Sequence, residues 1–203
     1  LTKGLLVDAP NQVHVSDTTY VRVGGGFAYL SLVTDRFTRE IIGWHLSEDL
    51  SASGPMAALR MAMRRVPSGT PVIEHSDRGC QYASRAYREL LSSLGLRSSM
   101  TEERHCYENG AAERVNGILK AEFGLDGRFA SAGEARASIR EAIAVYNTKR
   151  PHAMLGYHTP AEAREHPELV RPAALAASEA ARRMSERRAE RRKAAEEAAR
   201  RAA

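Results

Sequence analysis

The sequence predicts an α/β domain built on a mixed five-stranded sheet flanked by helices, and three observations carry that expectation. Three apolar, β-branched stretches follow one another within the first fifty residues, joined by short glycine or polar turns. Beyond them, segments with apolar residues at 3–4 residue spacing alternate with short apolar runs, the pattern of helices and buried strands. The resulting order, β-β-β-α-β-α-β-α, combines an antiparallel meander with crossover connections, and crossovers return the chain parallel to an existing strand.

The first strand is QVHVSDTTY (12–20), which alternates apolar and polar residues as a half-buried strand does. Gly24, Gly25 and Gly26 make a turn that glycine adopts most easily. FAYLSLVTD (27–35) is more continuously apolar and so reads as central, covered on both faces. The turn RFTR leads into EIIGWHL (40–46), the third strand, with Trp44 as core packing and Asp35 as a turn cap. A helix follows, with Ser53 as its expected N-cap, Pro55 in the first turn, and Met56, Leu59, Met63 and Val66 along one stripe. Pro67 and Gly69 end it. PVIEHS (71–76) is the fourth strand, a helix over about 84–94 stops at Gly95, and LRSSM (96–100) is the fifth strand. The loop TEERHCYENG opens a helix over about 111–123. A last helix, about 132–147, places Ile139, Ile143 and Tyr146 on one face.

The chain has 203 residues, of which 43% are hydrophobic, enough for a globular core. We divide it into a linker at 1–10, a core at 11–165 and a basic helical tail at 166–203. Past Pro172 the sequence is mostly Ala, Arg and Glu, a composition that favours helix and has little to bury. The segment from Ala173 to Ala203 holds nine Arg/Lys against five Glu, so it accounts for +4 of the +5 net charge. Bulk charge therefore gives the core no pointer to nucleic acid, and any such pointer has to come from motifs. Cys80 and Cys106 stand outside any CxxC or His/Cys ligand spacing, which argues against a disulfide framework or a structural zinc. No run of about eighteen apolar residues is present, and LTKGLLVDAP lacks a signal-peptide layout, so the expectation is a soluble protein of a reducing interior. The missing initial Met suggests a fragment of a longer chain.

Three acids stand out by position. Asp17 lies in mid-strand, where Asp is disfavoured and needs a partner or a neutralising charge. Asp77 follows the end of the fourth strand, and Glu113 falls in the first turn of the third helix. Read singly, Asp77 is a turn residue and Glu113 a first-turn carboxylate that faces the helix dipole. Read together, they fit one cleft. In this element order the first and fourth strands are expected neighbours, and the third helix can lie over them. Clustered carboxylates raise one another's pKa unless cations neutralise them, and hard oxygen ligands with open positions suit Mg²⁺ or Mn²⁺. Two such ions roughly 3.5–4 Å apart can serve phosphodiester chemistry. No Ser/His/Asp triad, phosphate-binding Gly-Lys loop or HExxH motif proposes anything else.

Thirty-five residues separate Asp77 from Glu113. Here the sequence resembles the retroviral-integrase-like transposases of bacterial insertion sequences, in particular the third insertion-sequence family. The resemblance is carried by DAPNQVHVSDTTYV (8–21), TDRFTREIIGWHLS (34–47), EHSDRGCQY (74–82), SMTEERHCYENGAAERVNGILKAEF (99–123) and YNTKRPHAMLGYHTPAE (146–162). It implies a ribonuclease H-like fold with Asp17, Asp77 and Glu113 as the metal-binding catalytic acids, holding two Mg²⁺ for which Mn²⁺ can substitute. It also implies Lys120, two turns beyond Glu113, as a DNA-phosphate contact. Asn116 and His75 are further candidates for DNA contact, with simple packing and a hydrogen bond to the backbone as their respective alternatives, and Arg150 and His152 are candidates to meet DNA or another subunit. Two positions depart from the family pattern: His14 stands where relatives commonly have Trp, and Glu74 where many have His. Arg78 and Gly79 are expected to shape the loop that presents Asp77.

The function so implied is metal-dependent nicking of DNA at the ends of an insertion element, followed by attack of the freed 3′-hydroxyl on another phosphodiester. The partners implied are terminal-repeat and target DNA and a homodimer or larger assembly, with no membrane. The place implied is the bacterial cytoplasm, with the nucleoid when bound to DNA. Two rivals are a ribonuclease H-like nuclease that does not join strands, and a domesticated DNA-binding protein without catalysis. The distal YNTKRPHAMLGYHTP segment disfavours the first, and the intact acids with Lys120 disfavour the second.

Overall fold

In the computed structural model, which describes residues 5–100 and 110–202, the expected order holds through four helices and five strands. Strands β1 (Val13–Val23), β2 (Gly26–Asp35) and β3 (Ile41–Ser47) form the antiparallel meander. Helix α1 (Ser53–Met63) returns the chain to β4 (Ile73–Ser76), which lies parallel to β1 on its other side. Helix α2 (Arg85–Ser93) then leads to β5 (Arg97–Met100), parallel to β4. The sheet order is β3-β2-β1-β4-β5, so β1 is central between an antiparallel and a parallel neighbour. Helices α3 (Gly110–Phe123) and α4 (Ala132–Lys149) follow. The stretch 101–109, most of the expected loop before α3 and including Cys106, lies outside the described residues.

The sheet differs from the expected five strands by one short addition, β6 (Arg128–Phe129), which pairs in parallel with the far end of β1. Two residues carry no readable periodicity, and only the return of the chain after α3 sets them beside β1. A short α5 (Pro160–Glu165) and a long α6 (Pro167–Ala202) complete the chain. Helix α5 opens with a capping box in which Thr159 and Glu162 satisfy each other's backbone N–H groups. At α1 the expected cap shifts: Ala52 occupies the N-cap position without a side-chain hydrogen bond, while the Ser53 hydroxyl pairs with that of Ser51 at 2.7 Å.

Because side chains alternate along a strand, β1 presents two different faces. Val13, Val15, Val21 and Val23 face the layer of α3, α4 and the distal segment, where Ile139, Ile143 and Tyr146 are buried as expected. His14, Ser16 and Thr18 face the layer of α1 and α2, where Tyr82, Tyr87, Leu59 and Leu90 are buried. Helix α1 lies directly on β3 at Gly43, where any Cβ would collide with the Ala58 carbonyl and Ala62. Val7 and Val170 join Val13, Val15 and Leu155 in a third cluster, so both ends of the domain are sewn to β1. Trp44 packs at the edge of the main core, half-buried.

Candidate active site

Asp17 occupies the middle of β1, on the face that α3 covers. Ser16 pairs with Ser76 in the parallel β1–β4 ladder, and β4 ends there, so Asp77 leaves the sheet beside Asp17. The turn that follows is fixed by Asp77 itself, whose Oδ1 accepts the Gly79 N–H at 2.8 Å. A Cβ at residue 79 would crowd that same oxygen and the Gln81 amide, so a side chain there would have to displace both. The expectation for this loop thus acquires a specific bond.

Helix α3 brings the third acid. Glu113 sits in its first turn, exposed, and one turn on Asn116 is buried against β1. Asn116 Nδ2 donates to Asp17 Oδ2 at 2.7 Å, while Asn116 Oδ1 is buried with no partner among the described residues. Lys120, one turn further, is half-buried on the same side of the helix. The Asp17 carboxyl is pushed up to about 6, first by burial, then by the negative charges of Asp77 and Glu113, against hydrogen bonds from the Thr18 backbone and Asn116. The three acids therefore share one electric field. Among the described residues no three His, Cys, Asp or Glu side chains stand close enough together to hold an ion unaided.

Beneath the site, on the opposite face of the sheet, the packing is polar. Thr18 Oγ1 meets the Tyr82 hydroxyl at 2.9 Å and the Ser31 hydroxyl at 3.1 Å. Ser16 and Tyr87 both donate to Glu74 Oε1. Glu74 lies opposite His14 in the ladder, so the two departures from the family pattern are neighbours. Their facing atoms, His14 Nδ1 and Glu74 Oε2, are 3.9 Å apart, too long for a hydrogen bond, and neither has a hydrogen-bond partner among the described residues. Burial pushes Glu74 up to about 7 and His14 down to about 4, with the Arg164 charge adding to the fall at His14. Sequence reasoning singled out both residues as anomalies; the signal that joins them is their shared register.

The other candidates sit apart from the acids. His75 is only 2% exposed and bonds Ser99 across β4 and β5 at 3.0 Å. Arg150 forms a two-pronged pair with Glu122 of α3, both contacts at 2.7 Å, and His152 packs edge-on against Tyr146. The distal segment is held a second time by buried Glu40, which accepts from Arg164 at 2.9 Å and pairs with Arg65 at 2.8 Å. Neither clamp was legible in advance, because both join residues far apart in the chain. Asp35 caps its turn as expected, accepting from the backbone of Phe37, Thr38 and Asn11.

Two family profiles, both described as integrase core domain, match residues 7–106 and 94–160. A protein of insertion element IS600 from Shigella sonnei is 41% identical over 77% of this chain and 58% of its own. The chain belongs to the integrase core family. The transposase of element IS629 from Shigella sonnei is 34% identical, covering 80% of this core-bearing chain and 55% of its own length. Transposase InsF of Escherichia coli is 35% identical over 79% of this chain and 56% of the relative. The chain thus spans rather more than half the length of the curated transposases it matches. Among solved structures, the simian T-cell lymphotropic virus intasome gives a TM-score of 0.67 at 20% identity, covering 81% of this chain and 59% of that one. The integrase catalytic core of HTLV-2 in complex with magnesium gives 0.59 at 19% identity, covering 75% and 95%. At that identity the likeness concerns the fold: the integrase core here has the ribonuclease H-like architecture. No helix among the described residues is long and apolar enough to cross a membrane.

Proposed function

We propose that this integrase core nicks DNA at the ends of an insertion element and transfers the resulting 3′-hydroxyl into a second phosphodiester. The observation that carries the reading is the placement of Asp17: a half-buried strand acid held by Asn116 of the helix that bears Glu113, its carboxyl raised by desolvation and by the charges of Asp77 and Glu113. An all-oxygen, electron-rich set of this kind fits hard divalent cations, since a cation offsets both the desolvation and the repulsion that lift Asp17. Asp17, Asp77 and Glu113 are the residues that would hold Mg²⁺, or Mn²⁺ in its place. When bound, a pair of such ions supplies activation of the attacking oxygen and charge stabilisation of the leaving one.

The remaining work falls to the chain. Asn116 fixes the orientation of Asp17 and favours its ionised form, because a donated hydrogen bond stabilises a carboxylate. The Gly79 N–H aims Asp77, and Lys120 offers an ammonium to a DNA phosphate on the Glu113 face of α3. Arg150 and His152 reach DNA only when the Glu122 pair opens, and His75 acts through Ser99 to steady β4 beside the site. Two DNA ends have to be held together for joining, so the working form is a homodimer or larger assembly in the bacterial cytoplasm, at the nucleoid when DNA is bound. We assign the core to residues 11–165, with 1–10 as linker and 166–203 as a basic tail.

Asp17→Asn, Asp77→Asn and Glu113→Gln should each lower Mg²⁺-dependent nicking and strand transfer on the order of 10³-fold or more. Folding should stay nearly intact. Strand transfer at wild-type rates by these variants would refute the assignment, and nicking without any joining would favour the plain nuclease.

A further inference from the structure

The β4-side edge of β1 is not continuous. Strand β4 pairs with β1 only through Ser16, and β6 begins only at Arg22, so residues 17–21 have no strand neighbour there among the described residues. This notch begins at Asp17. On the sheet face away from α3, just beyond the notch, lies a group of side chains that no helix among the described residues fully covers. Tyr20 pairs across the ladder with Tyr29, and Arg22 with Phe27, so period-two alternation puts all four on one face. Helix α1 covers the neighbouring part of that face, at Gly43 and at Ser47 beside the half-buried Tyr29, and leaves Tyr20 and Phe27 exposed. Tyr20 is 54% and Phe27 58% exposed. The Tyr20 ring stands edge-on to Phe27 at 6.0 Å and to Tyr29 at 5.4 Å.

We propose that Tyr20, Phe27, Tyr29 and Arg22 form a stacking platform for unpaired bases of the DNA that flanks the phosphodiester at Asp17. The inference rests on the transposase reading above. Aromatic faces accept any base, and an arginine beside them can meet the backbone phosphate or stack in turn. Arg22 is exposed and makes no hydrogen bond or ion pair among the described residues. The acids that follow β3, Glu48 and Asp49, leave the sheet after Ser47, and Asp49 turns into its own loop to accept the Ser51 N–H. Tyr20 is three positions along β1 from Asp17, about 10 Å of strand, and faces the other side of the sheet, so a single-stranded flank of about three nucleotides would pass over the edge at the notch to reach it. A second copy of the chain is the weaker occupant, because four side chains fall far short of the twenty or so per partner that a stable interface takes.

The test uses the full chain with two labelled oligonucleotides, a blunt duplex and the same duplex with a short unpaired flank carrying 2-aminopurine. Wild-type protein should bind the flanked form more tightly and quench the 2-aminopurine. Tyr20→Ala combined with Phe27→Ala should lose ~10-fold or more in affinity for the flanked form and lose the quench. Its binding to blunt duplex should stay unchanged, and Tyr20→Phe with Phe27→Tyr should restore both readouts. Equal loss on both substrates, or no loss on either, overturns the platform. So does a drop in sedimenting mass with DNA binding intact, which would give the patch to a second copy. Binding of neither oligonucleotide by wild-type protein would instead bring down the transposase reading, and the platform with it.

Discussion

Asn116 of α3 and Asp17 of β1, ninety-nine positions apart, are joined by a 2.7 Å hydrogen bond in which the amide donates to the carboxylate. The bond ties the helix that carries Glu113 to the strand that carries the first acid, and it opposes the burial that lifts Asp17. Asn116→Ala should therefore raise the Asp17 pKa further and move the acidic limb of the nicking profile to higher pH. A hydrogen bond to a charged group contributes about 1.5–3 kcal/mol, or about one to two pH units, so activity at pH 7 should fall about two- to tenfold. Asn116→Asp should be worse, because it adds a fourth negative charge. A pH–rate profile of Asn116→Ala that superimposes on wild type would remove Asn116 from this role.

Asp17, pushed up to about 6, has to lose its proton before it can hold a cation. Mn²⁺ affinity should then rise steeply with pH below about 6 and level off above it. Calorimetric titration in buffers of different ionisation heat should show close to one proton released at pH 5 and almost none at pH 8. Asp17→Asn should abolish both the binding and the proton release. A proton count that does not vary with pH would contradict the assignment.

Glu74 and His14 make opposite contributions to stability. Glu74 is held at about 7 against an ordinary 4.5, so between those values the folded chain keeps a proton that the unfolded chain gives up. Stability from this group is full below pH 4.5, falls as pH rises to about 7, and stays lost above. His14, at about 4 against 6.5, acts the other way: its contribution is present above 6.5 and disappears as pH falls towards 4. Glu74→Gln removes the first effect and offers an amide N–H to the partnerless His14 Nδ1. Relative to wild type, its melting temperature should be several degrees higher at pH 8 than at pH 5, for a difference on the order of 3 kcal/mol. Thermal scans of both proteins at the two pH values decide it; equal offsets at both would show that Glu74 is ionised throughout.

Arg150 and Glu122 pin the distal segment to the far end of α3. Since Glu122 is about half exposed, the pair should contribute about 1 kcal/mol or less. Arg150→Ala should lower the melting temperature by a few degrees at most, and exchanging the charges, Arg150→Glu with Glu122→Arg, should recover most of that loss. DNA affinity separates the roles. Full recovery of stability and binding by the exchange makes Arg150 a positioning residue, whereas recovered stability with lost binding gives it a DNA contact as well.

Much of this protein was readable from its order of residues. The strand alternation at 12–20, the glycine turn and the helical stripes at 53–66 and 132–147 are local patterns set by the periods of strand and helix, and the elements appear within a few residues of their expected bounds. The proposed acids stood out for a related reason: Asp17 violates strand preference, and such violations gather where another demand outweighs local preference. Missed were β6, α5 and the Glu40 and Glu122 clamps. β6 and the two clamps have no local period and exist because distant segments arrive at the same place; α5 is too short for a period, though its Thr159–Glu162 capping box is a local signal.

Sequence alone determined which elements form and which side chain at each position is capable of chemistry, since propensity, alternation and charge belong to short stretches of chain. Tertiary structure decided what those side chains do to one another. The β1–β4 register sets Asp77 beside Asp17 and Glu74 opposite His14, and the seating of α3 gives Asp17 its amide partner. The reason is that burial and electric field depend on distances in space: a carboxyl of ordinary affinity for its proton becomes one near 6 only when packing removes its water and brings two other acids within reach.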